Sequence, residues 1–220
     1  MEEAEKILTE KESLELISQM INKAKNSYHD SGIGPILWGS VIALCSLVTF
    51  LQIRFDFPLP FDIWYLTLIA ILPQILIVRK EKKKNKVRSY DNITMDYVWT
   101  SFGIGIFILV FINANIVSHL NPIFQTYIDV KGTRPNFNYS SFSTSFFLLL
   151  YGFPTIITGG CMKMKPMLIG GIICWIAAIV SVYTTIQWDM LLTAFAAISA
   201  WLIPGIIMMK RNKKSQANNV

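Results

Sequence analysis

Six apolar runs, at residues 33–53, 62–78, 97–117, 143–162, 166–187 and 190–209, carry no charged side chain except Asp62 at the edge of the second. A hydrocarbon layer of about 30 Å is crossed by about 20 helical residues, with roughly 17 to 25 tolerated. In lipid every backbone polar group needs a partner within the protein, which leaves helices or closed barrels. Runs of this length favour helices. The expectation is an all-α polytopic membrane protein with six transmembrane helices. Composition agrees: only 15% of the residues are charged, against about 25% in soluble domains.

Lysine and arginine give the expected orientation. Segment 79–88 holds seven of them, Lys163 and Lys165 separate the fourth and fifth runs, and Lys210, Arg211, Lys213 and Lys214 follow the sixth. Lys6, Lys11, Lys23 and Lys25 precede the first run, so 17 of the 20 basic residues share one side. Only Arg54, Lys131 and Arg134 fall on the other. Basic residues accumulate on the cytoplasmic side of spans. Both termini are therefore expected in the cytoplasm, of a multi-pass protein of the cell inner membrane. The same clustering excludes a nucleic-acid reading of the +6 net charge. Membrane lipids are the expected partners, beside a protein partner or a second copy of the chain.

Two stretches share a pattern. PILWG at 35–39 and PMLIG at 166–170 both read Pro-x-Leu-x-Gly and both open a run. Pro35 and Pro73 are 38 residues apart, as are Pro166 and Pro204, and a basic residue follows six positions later at Arg79 and at Lys210. This reads as an internal repeat within three parallel helical hairpins, 33–78, 97–162 and 166–209, the middle one a looser relative. The opening prolines serve as helix starts, because a first-turn N–H has no intrahelical partner. Gly39 and Gly170 let a neighbouring helix approach.

Pro73, Pro154 and Pro204 lie inside runs. Each frees the carbonyl four residues earlier, at Ile69, Leu150 and Ala200, and kinks its helix. Gln74, Thr155 and Gly205 follow these prolines and would form a polar ring if spans two, four and six met on one axis. Two readings stay open: a translocation or ligand site, or a set of packing kinks. Asn113, Asn115 and His119 close the third run, the last two sharing a helix face. They read as an outer mouth for a small ligand or as a helix end at headgroup depth. Residues 118–142 are expected as the one sizeable outer loop, with Asn121 and Pro122 starting a short interfacial turn.

Residues 1–32 precede the membrane domain at 33–209, and a basic tail occupies 210–220. Thr9 and Glu12 have capping-box spacing. Leu14, Ile17, Ile21, Ala24 and Tyr28 follow at heptad spacing, with Leu16 and Met20 widening the stripe. This predicts a cytoplasmic amphipathic lead-in helix on the membrane surface or the bundle. The lead-in, followed by Gly34 and the LWG of Leu37, Trp38 and Gly39, resembles small uncharacterised bacterial inner-membrane proteins over roughly residues 12–50. The resemblance implies no activity.

No HExxH, GxSxG, Walker lysine or paired carboxylates occur, so no enzyme motif is present. Cys45, Cys161 and Cys174 lack CxxC spacing, and His29 and His119 fall on opposite sides. No metal or cofactor is expected. Ionisable groups inside spans mark function, and none is expected near the middle of a span. The expected function is therefore non-enzymatic: a membrane sensor, regulator or assembly partner. The alternative is a facilitative channel or carrier for a small neutral or lipophilic solute, using the kinked helices two, four and six. A third reading is a membrane enzyme using Asp91 and Asp96.

Overall fold

The computed structural model describes residues 9, 13–15, 18, 31–84, 90–133 and 139–217, and these are helical apart from short connections. The elements are α1 (Ile33–Phe55), α2 (Tyr65–Lys84), α3 (Tyr90–Lys131), α4 (Ser140–Cys161), α5 (Lys165–Ser181) and α6 (Ile186–Ala197). A π-helical turn, Ile198–Leu202, then joins α6 to α7 (Ile203–Ala217). Every apolar run of the sequence falls on one of these helices. Four stretches are long and apolar enough to cross a membrane: Ile33–Phe55, Ile93–Lys131, Phe142–Cys161 and Ile186–Lys214. α5 is apolar but has 17 residues. The apolar part of α2 ends at Val78, where RKEKKK begins.

The helix starts follow the proline logic. Pro166 is the second residue of α5 and Pro35 lies in the first turn of α1. Ahead of α1, Gly32 adopts the left-handed region at φ 75°. Its carbonyl accepts from Ile36 N–H at 3.2 Å. A side chain on Gly32 would meet the α7 backbone, 2.9 Å from Met209 N. Glu81, from the basic end of α2, accepts from both the Ser31 hydroxyl and the Ser31 N–H. A carboxylate at a helix N-terminus also favours the helix dipole. The two ends of the first hairpin are thereby tied together.

The continuous unit α6–π–α7 occupies the centre of the fold. α1 and α5 both pack on it, and α4 packs on α5 and α6. Among the described residues, the α2 backbone lies against α1 and the α3 backbone against α4. Lys82 of α2 also pairs with Asp96 of α3 at 3.4 Å, and Trp99 and Phe102 of α3 reach the π turn. Gly39 and Gly170 seat α1 and α5 on the same stretch of the centre. A Cβ at Gly39 would lie 2.6 Å from Leu202 N, and one at Gly170 would overlap Ala200. We call the end holding Gly32, Lys165 and Met208 the near end, and the end holding Phe55, Ser140 and Ser181 the far end.

The matching proline spacings do not carry matching surroundings. Pro204 has no N–H for the Ala200 carbonyl. The chain absorbs this with the wide turn just before it, in which Ile203 N–H bonds Ile198 O, five residues back. Such π turns satisfy freed groups in apolar surroundings. Pro204 is fully buried. α2 instead continues as α-helix across Pro73, which is only half-buried.

The outer loop expected over 118–142 is mostly helix. α3 runs unbroken for 42 residues, through Asn121 and Pro122 to Lys131, a rod of about 63 Å. Asn121 and Pro122 start no separate turn. An interior proline removes one bond, here to Ser118, and helix propagation around it continues. The Thr126 hydroxyl donates to the Pro122 carbonyl at 2.9 Å on that stretch. In the lead-in, Ser13 N–H bonds the Thr9 carbonyl at 2.9 Å, and Ser13–Glu15 are helical. Leu14 is exposed. Glu12, Leu16, Ile17, Met20, Ile21, Ala24 and Tyr28 lie outside the described residues.

Candidate functional site

The three residues expected to form a polar ring are distributed over two places. Gln74 stands beside the start of α1, where a Cβ on Gly34 would be 3.6 Å from its amide atoms. Its Oε1 is buried without a hydrogen-bond partner. Gly205 meets the same end of α1 from another side, against Ile36 and Gly32. Thr155 is fully buried on α4, deeper in the bundle. Because the α2 backbone lies against α1, and not against α4 or α6, among the described residues, spans two, four and six do not share an axis and no ring forms.

At Thr155 the interior is filled. The Thr155 hydroxyl donates to the Tyr151 carbonyl at 2.7 Å and accepts from the Trp201 indole N–H at 2.8 Å. Trp201 belongs to the π turn, which re-aims its side chain into the core. Its ring lies 4.8 Å from Tyr151, 6.0 Å from Phe102 and 6.3 Å from Trp99 between centroids. Phe102 and Trp99 reach in from α3 and stack edge-on, 5.7 Å apart. These tilted and edge-to-face geometries are the favourable ones for aromatic rings. Pro154 and Pro204 therefore flank a packed aromatic cluster here.

The second polar group also separates. Asn113 is buried, and its Oδ1 accepts from Tyr139 O–H at 2.8 Å, which pins α3 to the start of α4. Asn115 and His119 are exposed. The Asn115 amide donates to Phe111 O, and His119 Nδ1 lies 2.8 Å from Asn115 O. They satisfy their own helix and do not converge on Asn113.

A group the sequence reading placed between spans is the most unusual feature. Asp189, in the first turn of α6, has no exposed surface. The Thr184 hydroxyl donates to its Oδ1, while Oδ2 is buried without a partner. Small residues bring α5 and α6 together here. Gly170 faces Ala200, Ser181 closes α5 and Asp189 lies in the first turn of α6. Between them Cys174, Ala177, Thr193 and Ala196 are all buried along the same seam. Ser181 Oγ shares a hydrogen bond with Ser145 Oγ of α4 at 2.7 Å. The far end thus buries one carboxylate bonded to the Thr184 hydroxyl of the α5–α6 connection. A search for uncharged runs treats an aspartate as a boundary, so it could not find this residue. The available signal was Thr185 ahead of the helix with an acidic residue, Asp189, in its first turn.

No metal-binding group of three or more His, Cys, Asp or Glu occurs among the described residues. No protein-family model matches the chain, and neither a similar curated protein nor a similar solved structure was found.

Proposed function

We propose that this chain is a non-enzymatic, multi-pass protein of the cell inner membrane that acts as an assembly partner or regulator, engaging another membrane protein through α3. In this reading all six apolar helices span, as three parallel hairpins with both termini in the cytoplasm. The α2 and α5 spans are short and held by their neighbours. The parallel-repeat idea rests on the matching proline spacings of the sequence.

The observation that carries the proposal is the contrast between the core and α3. The aromatic cluster fills the place where a solute path was expected. α3 touches α4, the π turn through Trp99 and Phe102, and α2 through Asp96, and leaves Ile104, Phe107, Ile108 and Phe111 exposed along its middle. Lipid solvates such a face, and a partner helix fits it equally well because both offer apolar contact. The alternative, a facilitative channel, lacks its ring.

Two measurements test this together. Proteoliposomes should swell in glycerol or urea gradients no faster than empty vesicles. A photo-crosslinking residue at Phe107 or Phe111 should give one discrete protein adduct in cells, and the same residue at Ile179, on α5, should not. Accelerated swelling, or adducts to lipid alone from α3, overturns the proposal.

A further inference from the structure

We infer that the near end is a docking surface for anionic phospholipid headgroups, which bridge the basic ends of α2 and α7 across the start of α1. The inference is independent of the assembly reading. α2 ends in a stretch that holds Arg79, Lys80 and Lys83, and α7 carries Lys210, Arg211 and Lys213 just past its apolar part. All six are exposed. The two basic ends arrive at neighbouring residues. Glu81 of α2 accepts from Ser31, and a side chain on Gly32 would meet Met208 and Met209 of α7. α1 begins at the same place, and a helix N-terminus carries partial positive charge.

Three positive ends brought together repel one another unless anions sit between them. The carboxylates of Glu81 and Asp96 at this end are already engaged, with Ser31 and with Lys82. None of the six basic side chains forms an ion pair among the described residues. Depth selects the anion. The six lie within about two turns of Val78 and Met209, where the apolar parts of α2 and α7 end. That is the level of the phosphates bordering a hydrocarbon layer. Lysine and arginine at this level keep their stems on apolar surface and reach the phosphates with their heads. α2 depends on such a hold. Its apolar part, Tyr65–Val78, rises about 21 Å against a layer of about 30 Å. A short span is accommodated by snorkelling of its flanking basic residues. Within the protein the α2 backbone lies against α1 alone, and Leu68, Ile69, Leu72 and Leu76 are exposed. Headgroups shared between α2 and α7 supply the link that this packing lacks.

The test is thermal unfolding of the full-length protein in non-ionic detergent at fixed pH, titrating phosphatidylglycerol against phosphatidylcholine with the same acyl chains. The wild type should gain stability in a saturable way with phosphatidylglycerol and not with phosphatidylcholine, as a ligand of the folded state does. Added salt should shrink the gain, because the contacts are charged and exposed. The variant Lys80→Gln/Lys83→Gln/Lys210→Gln/Arg211→Gln should need roughly tenfold more phosphatidylglycerol, or beyond, for half its gain. Arg54→Gln/Lys131→Gln, which removes basic residues elsewhere, should respond as the wild type does. Should the fourfold variant fail to fold, Lys80→Gln/Lys83→Gln compared with Arg54→Gln/Lys131→Gln still decides. Equal gains from the two lipids overturn the inference. So does an unchanged response in the near-end variants, which would put the headgroups elsewhere, or an equal gain from inorganic phosphate, which would make this a site for a free anion. An acidic protein held at the near end against competing phosphatidylglycerol vesicles would assign the face to a protein and overturn it as well.

Discussion

Thr155 uses one oxygen for two bonds, giving to Tyr151 and receiving from Trp201. Replacing it with valine keeps the volume and strands the indole N–H in an apolar interior. We expect Thr155→Val to lose about 1–2 kcal/mol, read as a lower midpoint in thermal or SDS unfolding of the purified protein. Thr155→Ser keeps the bonding oxygen and should lose only what one buried methyl contributes, about 0.5–1 kcal/mol. Equal losses for both variants would mean that the bond contributes nothing. Thr155 was legible in the sequence as a polar residue behind Pro154. Its partner was not, because Trp201 enters the core only through the π turn that Pro204 imposes. Asp189 was hidden by a different logic. Sequence reading locates spans by the absence of charge, so a charge with its own hydroxyl partners looks like a span end.

At the scale of elements, helix starts and close approaches were read correctly from Pro35, Pro166, Gly39 and Gly170. First-turn prolines and small residues act locally, so their effect does not depend on knowing the fold. We expect Gly39→Leu and Gly170→Leu to destabilise strongly. Each side chain would enter backbone of the α6–π–α7 unit, as near as 2.6 Å for Gly39. Overpacking of this kind costs about 1–3 kcal/mol or more. Gly103 has nothing within 4 Å of its added Cβ, so Gly103→Leu should leave the unfolding midpoint unchanged or raise it. Comparable losses in all three would show that glycine itself, not the approach, matters. The far part of α3 was read wrongly for a physical reason. Asn121-Pro122 is a good helix start, yet here the helix continues through it at the loss of the bond to Ser118. Sequence spacing also suggested equal hairpins. Packing separates them, because burial depends on neighbours that spacing does not encode.

For the whole molecule, the proposed orientation predicts how each end meets solvent. In a variant with Cys45, Cys161 and Cys174 replaced, a single cysteine at Tyr183 should react with an impermeant thiol reagent in intact cells. Tyr183 is 87% exposed at the far end. Cysteines at Lys82 or Lys213 should react only after permeabilisation. Labelling of Lys82 from outside would reverse or refute the six-span arrangement. The long third helix adds a mechanical consequence. It is held to α4 where Gly105 meets Leu150 and where Asn113 holds Tyr139, and to α2 where Asp96 meets Lys82. Val130 lies about 25 Å beyond the Asn113 pin, and Trp99 about 21 Å on the opposite side. A stiff beam held along one half and free along the other is a cantilever. Sideways force applied at Val130 bends it against those holds and loads the contact of Trp99 with Trp201. A load borne at the far end of α3 is thereby felt as strain in the middle of the bundle.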